Sequence, residues 1–415
     1  MSEIKKLIER LCPDGVEYKT LGELGAFYGG LTGKSKKDFG NGNAKFITYM
    51  NVYSNPALDL SVTDTVQIAE GEKQNKVQYK DILFTGSSET PEESGMTSVV
   101  TQEVQEDYYL NSFCFGLRLY NPELFSADFL KHYFRSHEAR KAIARTASGV
   151  TRFNVSKAKL ANFEIPVPPI EVQSKIVEIL DNFTELEAEL EAELEARRKQ
   201  YEYYRNQLLT FDKVGGARFE RLKDVFEMRN GYTPSKNNSS FWDNGIIPWF
   251  RMEDIRENGR LLSDSIQHIA PSAIKGKGLF KANSIILATS ATIGEHALIS
   301  VEHLSNQRFT NIYPKKDFLE IIDMKFIFYY MFLIDEWCKQ HTQQGSFASV
   351  DMNALYNLLI PIPPLEEQQR IVSILDRFEA LTTDLQSGLP AEIAARRKQY
   401  EYYREQLLTF KRKTA

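Results

Sequence analysis

The same segment is written twice in this chain. Ala196–Phe211 reads ARRKQYEYYRNQLLTF and Ala395–Phe410 reads ARRKQYEYYREQLLTF, identical at fifteen of sixteen positions and 199 residues apart. Upstream, PVPPI (166–170) matches PIPPL (361–365), and KIVEILDNF (175–183) matches RIVSILDRF (370–378), both at an offset of 195. Weaker echoes extend further. Gly15, Tyr18, Leu21, Gly30 and Thr32 fall opposite Gly216, Phe219, Leu222, Gly231 and Thr233 at offset 201, and Asn111 falls opposite Asn306 at 195. Self-similarity of this kind is the strongest constraint a sequence places on its fold. The chain is one unit of about 200 residues used twice, each with a long diverged part before a short, nearly invariant one.

The invariant part has helical periodicity. After the Pro-Pro stop, apolar residues recur at Ile176, Ile179, Phe183, Leu186, Leu190, Leu194, Tyr201, Tyr204 and Leu208, in steps dominated by three and four. The second copy gives Ile371, Ile374, Phe378, Leu381, Leu385, Ile393, Tyr400, Tyr403 and Leu407. One apolar stripe among charged faces predicts an amphipathic helix. About 40 residues at 1.5 Å each make a rod of roughly 60 Å. So narrow a seam needs a second helix, and the other copy supplies one, as an intramolecular coiled coil. The copies differ at one place. Leu186–Arg197 is a run of LEAE-type tetrapeptides, whereas the second copy is four residues longer between Phe378 and Ala395, and its Leu385–Arg396 contains Gly388 and Pro390, which predict a kink or break. Each tetrapeptide adds about 6 Å and a phase change of ~40° to a rod.

The diverged parts predict mixed α and β structure. ILFTG (82–86), CFGLRLY (114–120), SIILATS (284–290) and TNIYP (310–314) read as short strands, and 129–146 and 324–342 as one helix in each copy. The segments expected are 1–165, 166–211, 212–360 and 361–415: globular, helical, globular, helical. Acidity is concentrated in 166–211, with ten acids against five bases, so the globular parts are nearly neutral. A pI near 5.9 argues against nonspecific coating of polyanions while leaving room for local basic loops. The longest apolar run, Phe326–Ile334, is nine residues, where a spanning helix needs about 20. The opening alternates charged and apolar residues, unlike a signal peptide. Three isolated cysteines, Cys12, Cys114 and Cys338, predict neither a disulfide framework nor a zinc ribbon, and fit a reducing cytoplasm.

Catalytic patterns fail one by one. GGLTGKS (29–35) has Tyr28 where a phosphate-cradling loop needs its first glycine. PDGVEYK (13–19) reads as a turn leading into a strand rather than converging metal-binding carboxylates. His132 and His137 are five apart, wrong for a helical metal pair, and read as a solvated helix face. No nucleophile elbow or methyltransferase Asn/Asp-Pro-Pro-aromatic motif occurs.

Binding loops remain. Thr32, Lys34, Ser35, Lys36, Lys37, Asn41 and Asn43 crowd the segment 28–53, and Asn230, Tyr232, Thr233, Ser235, Lys236, Asn237 and Arg251 crowd its counterpart. Lys and Arg hold phosphates, and Asn and Arg read base edges bidentately. A second cluster precedes each helix, at 148–157 with Arg152 and at 344–353. Two diverged binders on a repeated rod suit an asymmetric two-part DNA site. The near-identical helices, with Arg197, Tyr201 and Tyr204 in one and Arg396, Tyr400 and Tyr403 in the other, suit two copies of one partner. A coiled-coil scaffold and a stand-alone enzyme are the other readings, the second lacking any visible cofactor site.

The chain resembles the specificity subunit of type I restriction–modification systems. The resemblance spans essentially its full length. It rests on the two diverged domains, the IPxPP-like segments Ile165–Pro169 and Ile360–Pro364, the helices ending in RRKQYEYYR–QLLTF, and the opening LIERLCPDGVEYKTLGEL (7–24). It implies an α+β fold with two pseudo-symmetric target recognition domains joined by two long antiparallel helices. It also implies double-stranded DNA, two modification (methyltransferase) subunits and restriction subunits as partners. S-adenosylmethionine, ATP and Mg would belong to those partners, and this chain would hold no cofactor or metal and catalyse nothing.

Overall fold

The computed structural model describes residues 2–212, 217–276, 278–343, 348–383 and 388–414. The chain forms two compact units, Met1–Glu191 with Glu392–Ala415, and Ala192–Ala391. The first copy of the repeated helix, Ile170–Leu208, is one element of 39 residues that starts in the first unit and ends in the second. The second copy is two helices, Leu365–Thr383 and Leu389–Leu408, with 384–387, and so Ser387, outside the described residues. Pro390 sits in the first turn of the later helix, where its missing N–H has no intrahelical acceptor to lose.

In the first unit, the amphipathic helix Ser2–Leu11 buries Ile4 against the core. Gly15 then turns the chain at φ +100°, and the strand Glu17–Thr20 pairs antiparallel with Glu164–Val167. The C-terminal tail completes this layer: Val16 N–H donates to Lys411 O at 2.8 Å and Lys413 N–H to Val16 O at 2.9 Å. The expected Pro-Asp-Gly turn is therefore also a docking point for the tail. Thr20 and Glu23 form a capping box over Leu21–Leu24. The main antiparallel sheet follows, in the order Gly25–Gly29, Cys114–Leu119, Ile82–Thr85, Thr97–Val99, and a smaller sheet joins Thr65–Val66, Phe39–Ile47 and Tyr108–Leu110. The single helix expected over 129–146 is two, Ala127–Phe134 and His137–Ala144. Arg135 breaks it by donating to the carbonyls of Thr97, Val52 and Tyr53, and Ser136 caps the second piece.

The second unit repeats the plan with different strands. Arg218–Arg221 pairs with Leu359–Ile362, and the main sheet runs Phe226–Asn230, Phe309–Pro314, Ser284–Ala288, His296–Ile299, Leu261–Leu262. A small sheet joins His268–Ile269, Ile247–Phe250 and Leu304–Ser305, and one uninterrupted helix, Met324–Gln340, covers the main sheet.

The structure gives the echoed glycines a reason. A Cβ on Gly30 would meet Asn111 O at 2.0 Å, and one on Gly231 would meet Ser305 O at 2.2 Å and Asn306 O at 2.4 Å. In both units the asparagine of that turn accepts from the backbone N–H two residues on, Asn111 from Phe113 and Asn306 from Arg308.

Each unit closes on a pair of antiparallel helical segments. In the first, Phe183 stacks on Tyr403 at 5.3 Å, and Arg397 binds Glu187 and Glu191. In the second, Tyr201 and Tyr204 contact Phe378 at 6.4 and 5.8 Å. The start of each helix buries a further face. Val172, Ile176 and Leu180 enter the core of the first unit, and Ile371, Val372 and Leu375 that of the second.

Candidate nucleic-acid interface

The predicted binding residues of the first unit divide by what they touch. Lys34 is committed inside the fold, 2.5 Å from Glu72 and 2.6 Å from Gln67 O, and its proximity helps hold Glu72 at about 2. Asn43 exchanges two hydrogen bonds with the backbone of Ile68, and Thr32 exchanges backbone bonds with the Gln74 side chain. Ser35 accepts no solvent role of its own: its N–H and hydroxyl both donate to Asp38, capping the turn Lys36–Asp38. These residues shape the loop. Lys36, Lys37 and Asn41 point outward from it, exposed and without an ion pair among the described residues.

Arg152 is exposed on the hairpin Ala147–Ser148/Phe153–Val155, which pairs with Ser87–Ser88. It lines a cleft of about 410 Å³ with Tyr49, Met50, Tyr53, Ser87, Ser88, Glu89, Glu93 and Phe113. Tyr49 and Tyr53 stack at 6.0 Å with their hydroxyls anchored on Ser87 O and Glu93. Met50 and Phe113 are 58% and 61% exposed. Apolar side chains, ring faces, one guanidinium and two carboxylates on one rim can meet thymine methyls, base faces, phosphates and cytosine amines. Sequence reasoning missed Tyr49, Met50 and Phe113. Tyr49 and Met50 open the short helix Tyr49–Ser54, where Tyr49 still packs on the core around Ile47 and Val52 while Met50 faces out.

In the second unit, Asn230 accepts from Thr310 at 2.8 Å, and Thr233 donates to Gln307. Tyr232 is structural, its hydroxyl donating to Ala273 O and accepting from Lys275 N–H. Arg251 is half-buried beside Trp249 and 3.9 Å from Glu253. Ser235, Lys236 and Asn237 are exposed. Asn230 and Tyr232 border a recess of about 200 Å³ with Arg229 and Lys275. A larger cleft of about 540 Å³ brings Arg229 together with Lys223, Lys281 and Lys315. Lys275, with Gly276 at φ +62° and Gly278 at +77°, brings a basic side chain to the rim of the smaller recess, which the sequence reading overlooked. Residues 344–347 of the second cluster, and Gly216 opposite Gly15, lie outside the described residues.

The helix residues also sort by face. Arg197 and Arg396 make the same local bonds, to Gln200 and Glu193 and to Gln399 and Glu392. Tyr201 is 9% exposed under the Arg205 guanidinium, and burial pushes its hydroxyl up to about 12. Tyr400 bonds to His132 at 3.1 Å, Tyr403 stacks on Phe183 and Tyr204 on Phe378. These four tyrosines serve the helical seams. Tyr203 and Tyr402 face outward, 58% and 61% exposed, and Tyr204 stays 40% exposed beside Phe378. His132, expected on a solvated face, is 4% exposed and bonded to Asp181 at 2.7 Å, because its helix packs against the helical pair rather than toward water.

The duplicated frame thus carries two different exposed faces, one on each unit, with polar and basic side chains. The chain belongs to the type I restriction modification DNA specificity domain family, which it matches over residues 13–196 and 217–395. It is 55% identical over 197 residues to the Type I restriction enzyme EcoprrI specificity subunit of Escherichia coli, a stretch covering 46% of this chain and 49% of that one. It is 39% identical over 270 residues to the EcoR124I/EcoR124II specificity subunit of the same organism, 63% of this chain and 65% of that one. The chain therefore spans about half to just under two thirds of the length of these curated relatives. The HsdS subunit from Thermoanaerobacter tengcongensis shares the fold at TM-score 0.57 and 19% identity, over 96% of this chain and 97% of that one. A chain from a type I R-M system complex does so at 0.69 and 19%, over 95% and 97%.

Proposed function

We propose that this chain is the sequence-specific DNA-binding subunit of a type I restriction–modification system, reading an asymmetric bipartite site in double-stranded DNA. The observation that carries the reading is the contrast inside each copy. The frame is held by duplicated contacts, while the loop faces share almost no side chain. In the first unit Lys36, Lys37, Asn41 and Arg152, with the Tyr49–Phe113 cleft, would contact one half-site. In the second, Lys236, Asn237, Lys275 and Arg229 would contact the other. The near-identical outward faces around Tyr203 and Tyr402 would dock two modification subunits, and restriction subunits would join them in the cytoplasm. S-adenosylmethionine, ATP and Mg would be held by those partners.

Adenine-methylation mapping tests this. The chain is co-expressed with its cognate modification subunit in an unmethylated host. A two-part motif with a fixed unspecified spacer is the expected result. A single contiguous motif would leave one unit without a role in reading. No methylation from a soluble, assembled complex would overturn the proposal in favour of a scaffold.

A further inference from the structure

A cavity of about 610 Å³ in the first unit is walled by cations. Lys131, His132, Arg135, Arg140 and Arg404 line it, against a single carboxylate, Glu187, which is already bonded to Arg397. Lys131 is paired with Asp128 and Asp181, and His132 is held by Asp181 and Tyr400. Arg404 reaches Glu405 at 3.3 Å. The other two arginines have a different kind of partner. Arg135 donates to the carbonyls of Thr97, Val52 and Tyr53, and Arg140 to those of Glu92, Ser94 and Gly95. These acceptors are neutral. They take Nε and Nη2 of Arg135 and Nη1 and Nη2 of Arg140 and leave the charge uncompensated, and no ion pair to either arginine forms among the described residues. Burial accordingly pulls both guanidinium groups down to about 10, with Arg140 adding to the effect at Arg135. Two partly desolvated like charges facing one cavity are costly unless a counter-charge enters it.

We propose that this cavity is a binding site for a phosphate-class anion, with Arg135 and Arg140 supplying its charge complement. Planar guanidinium groups match phosphate oxygens, and the volume lies in the range of small-ligand sites. Pro56, Met96 and the Tyr400 ring add an apolar wall that suits a phosphate carried on an organic group. The anion has two sources with the same chemistry: a free phosphate-bearing molecule, or a phosphate of the DNA backbone. The site stands on its own contacts and does not depend on the DNA-reading proposal.

The test is titration calorimetry of the full chain with pyrophosphate. Wild type is expected to bind one equivalent. Thr184 lines the cavity from the exposed side of the long helix, so Thr184→Glu places a carboxylate in it without opening the core. T184E should weaken binding by about tenfold or more, the effect of one opposed charge at short range, and T184Q should leave it unchanged. Absence of saturable binding to wild type, or equal binding to a folded T184E, would overturn the proposal. Repeating the titration with a saturating short duplex separates the sources. Unaltered affinity identifies a free anion, and competitive loss identifies the backbone phosphate.

Discussion

Gln173 and Gln368 show what a single residue contributes when it is written twice. Each is fully buried at the start of its helix. Gln173 donates to Leu124 O and Pro168 O and accepts from Ser126 N–H; Gln368 donates to Ile321 O and Pro363 O and accepts from Asp323 N–H. Three backbone groups that helix and sheet leave unpaired are satisfied by one amide. Gln368→Leu should cost about 2–4 kcal/mol, since a buried group stripped of its partner keeps its full desolvation cost; the urea midpoint measures it. His303 offers a pH-dependent test. Its Nδ1 donates to Val301 O at 2.9 Å and its Nε2 faces the Asn311 amide at 3.4 Å, between the rings of Phe250 and Phe280. Burial, with the nearby Arg229 charge, brings it down to about 4 from 6.5. The unfolded chain therefore takes up this proton first as pH falls. Stability is full above pH 6.5 and is lost progressively toward pH 4, by roughly 3 kcal/mol in all. His303→Gln should flatten that part of the stability-versus-pH curve by the same amount, and an unchanged slope would refute the assignment.

At the scale of the element, the helix stripe was legible because apolar spacing survives any change of partner. Ile176 and Phe183 lie where the three-four rhythm puts them, one in the core and one on the seam. That Val172 and Leu180 are buried as well was not legible, because the extra apolar face exists only where the globular domain leans on the helix start. The tyrosines YEYY carry the same lesson. Spacing alone placed Tyr201, Tyr204, Tyr400 and Tyr403 on the stripe, and a stripe residue is spent on the intramolecular seam. Tyr203 and Tyr402, off the stripe, are the more exposed pair, and the proposed docking of modification subunits rests on them. The double substitution Tyr203→Ser/Tyr402→Ser should leave the thermal midpoint nearly unchanged, as exposed substitutions usually do, and reduce recovery of the modification subunit in co-purification. Tyr201→Ala should lower the midpoint instead, through the contact with Phe378 and the loss of about 2–3 kcal/mol of packing.

At the scale of the molecule, the repeat predicted the duplication and its offsets, but not how the chain divides. The segments are consecutive in sequence, whereas the first unit takes in Glu392–Ala415, because Leu407, Leu408 and Phe410 belong to the same core as Ile4 and Leu21. Arg412 fixes the tail further by a two-point bond to Glu164. Modularity is therefore conditional. Asp181 needs a cation from the domain it faces and gets it from Lys131; Asp376 gets it from Lys325 at 2.8 Å. A segment replacing residues 1–165 must bring a base opposite Asp181, an apolar pocket for Leu407 and Phe410, and an acid at the position of Glu164. A graft from another specificity subunit that meets these conditions should change one half of the methylated motif and leave the other half and the spacer as they were. A graft with a neutral residue opposite Asp181 should fold less stably by about 1 kcal/mol, the modest figure reflecting the partial exposure of that carboxylate, yet alter the same half of the motif. Methylation mapping of both chimeras distinguishes the contributions: under the proposed DNA-reading role, the ion pair sets how well the unit is held and the grafted loops set which bases it reads. Changes in both halves would show that the two units do not read DNA independently.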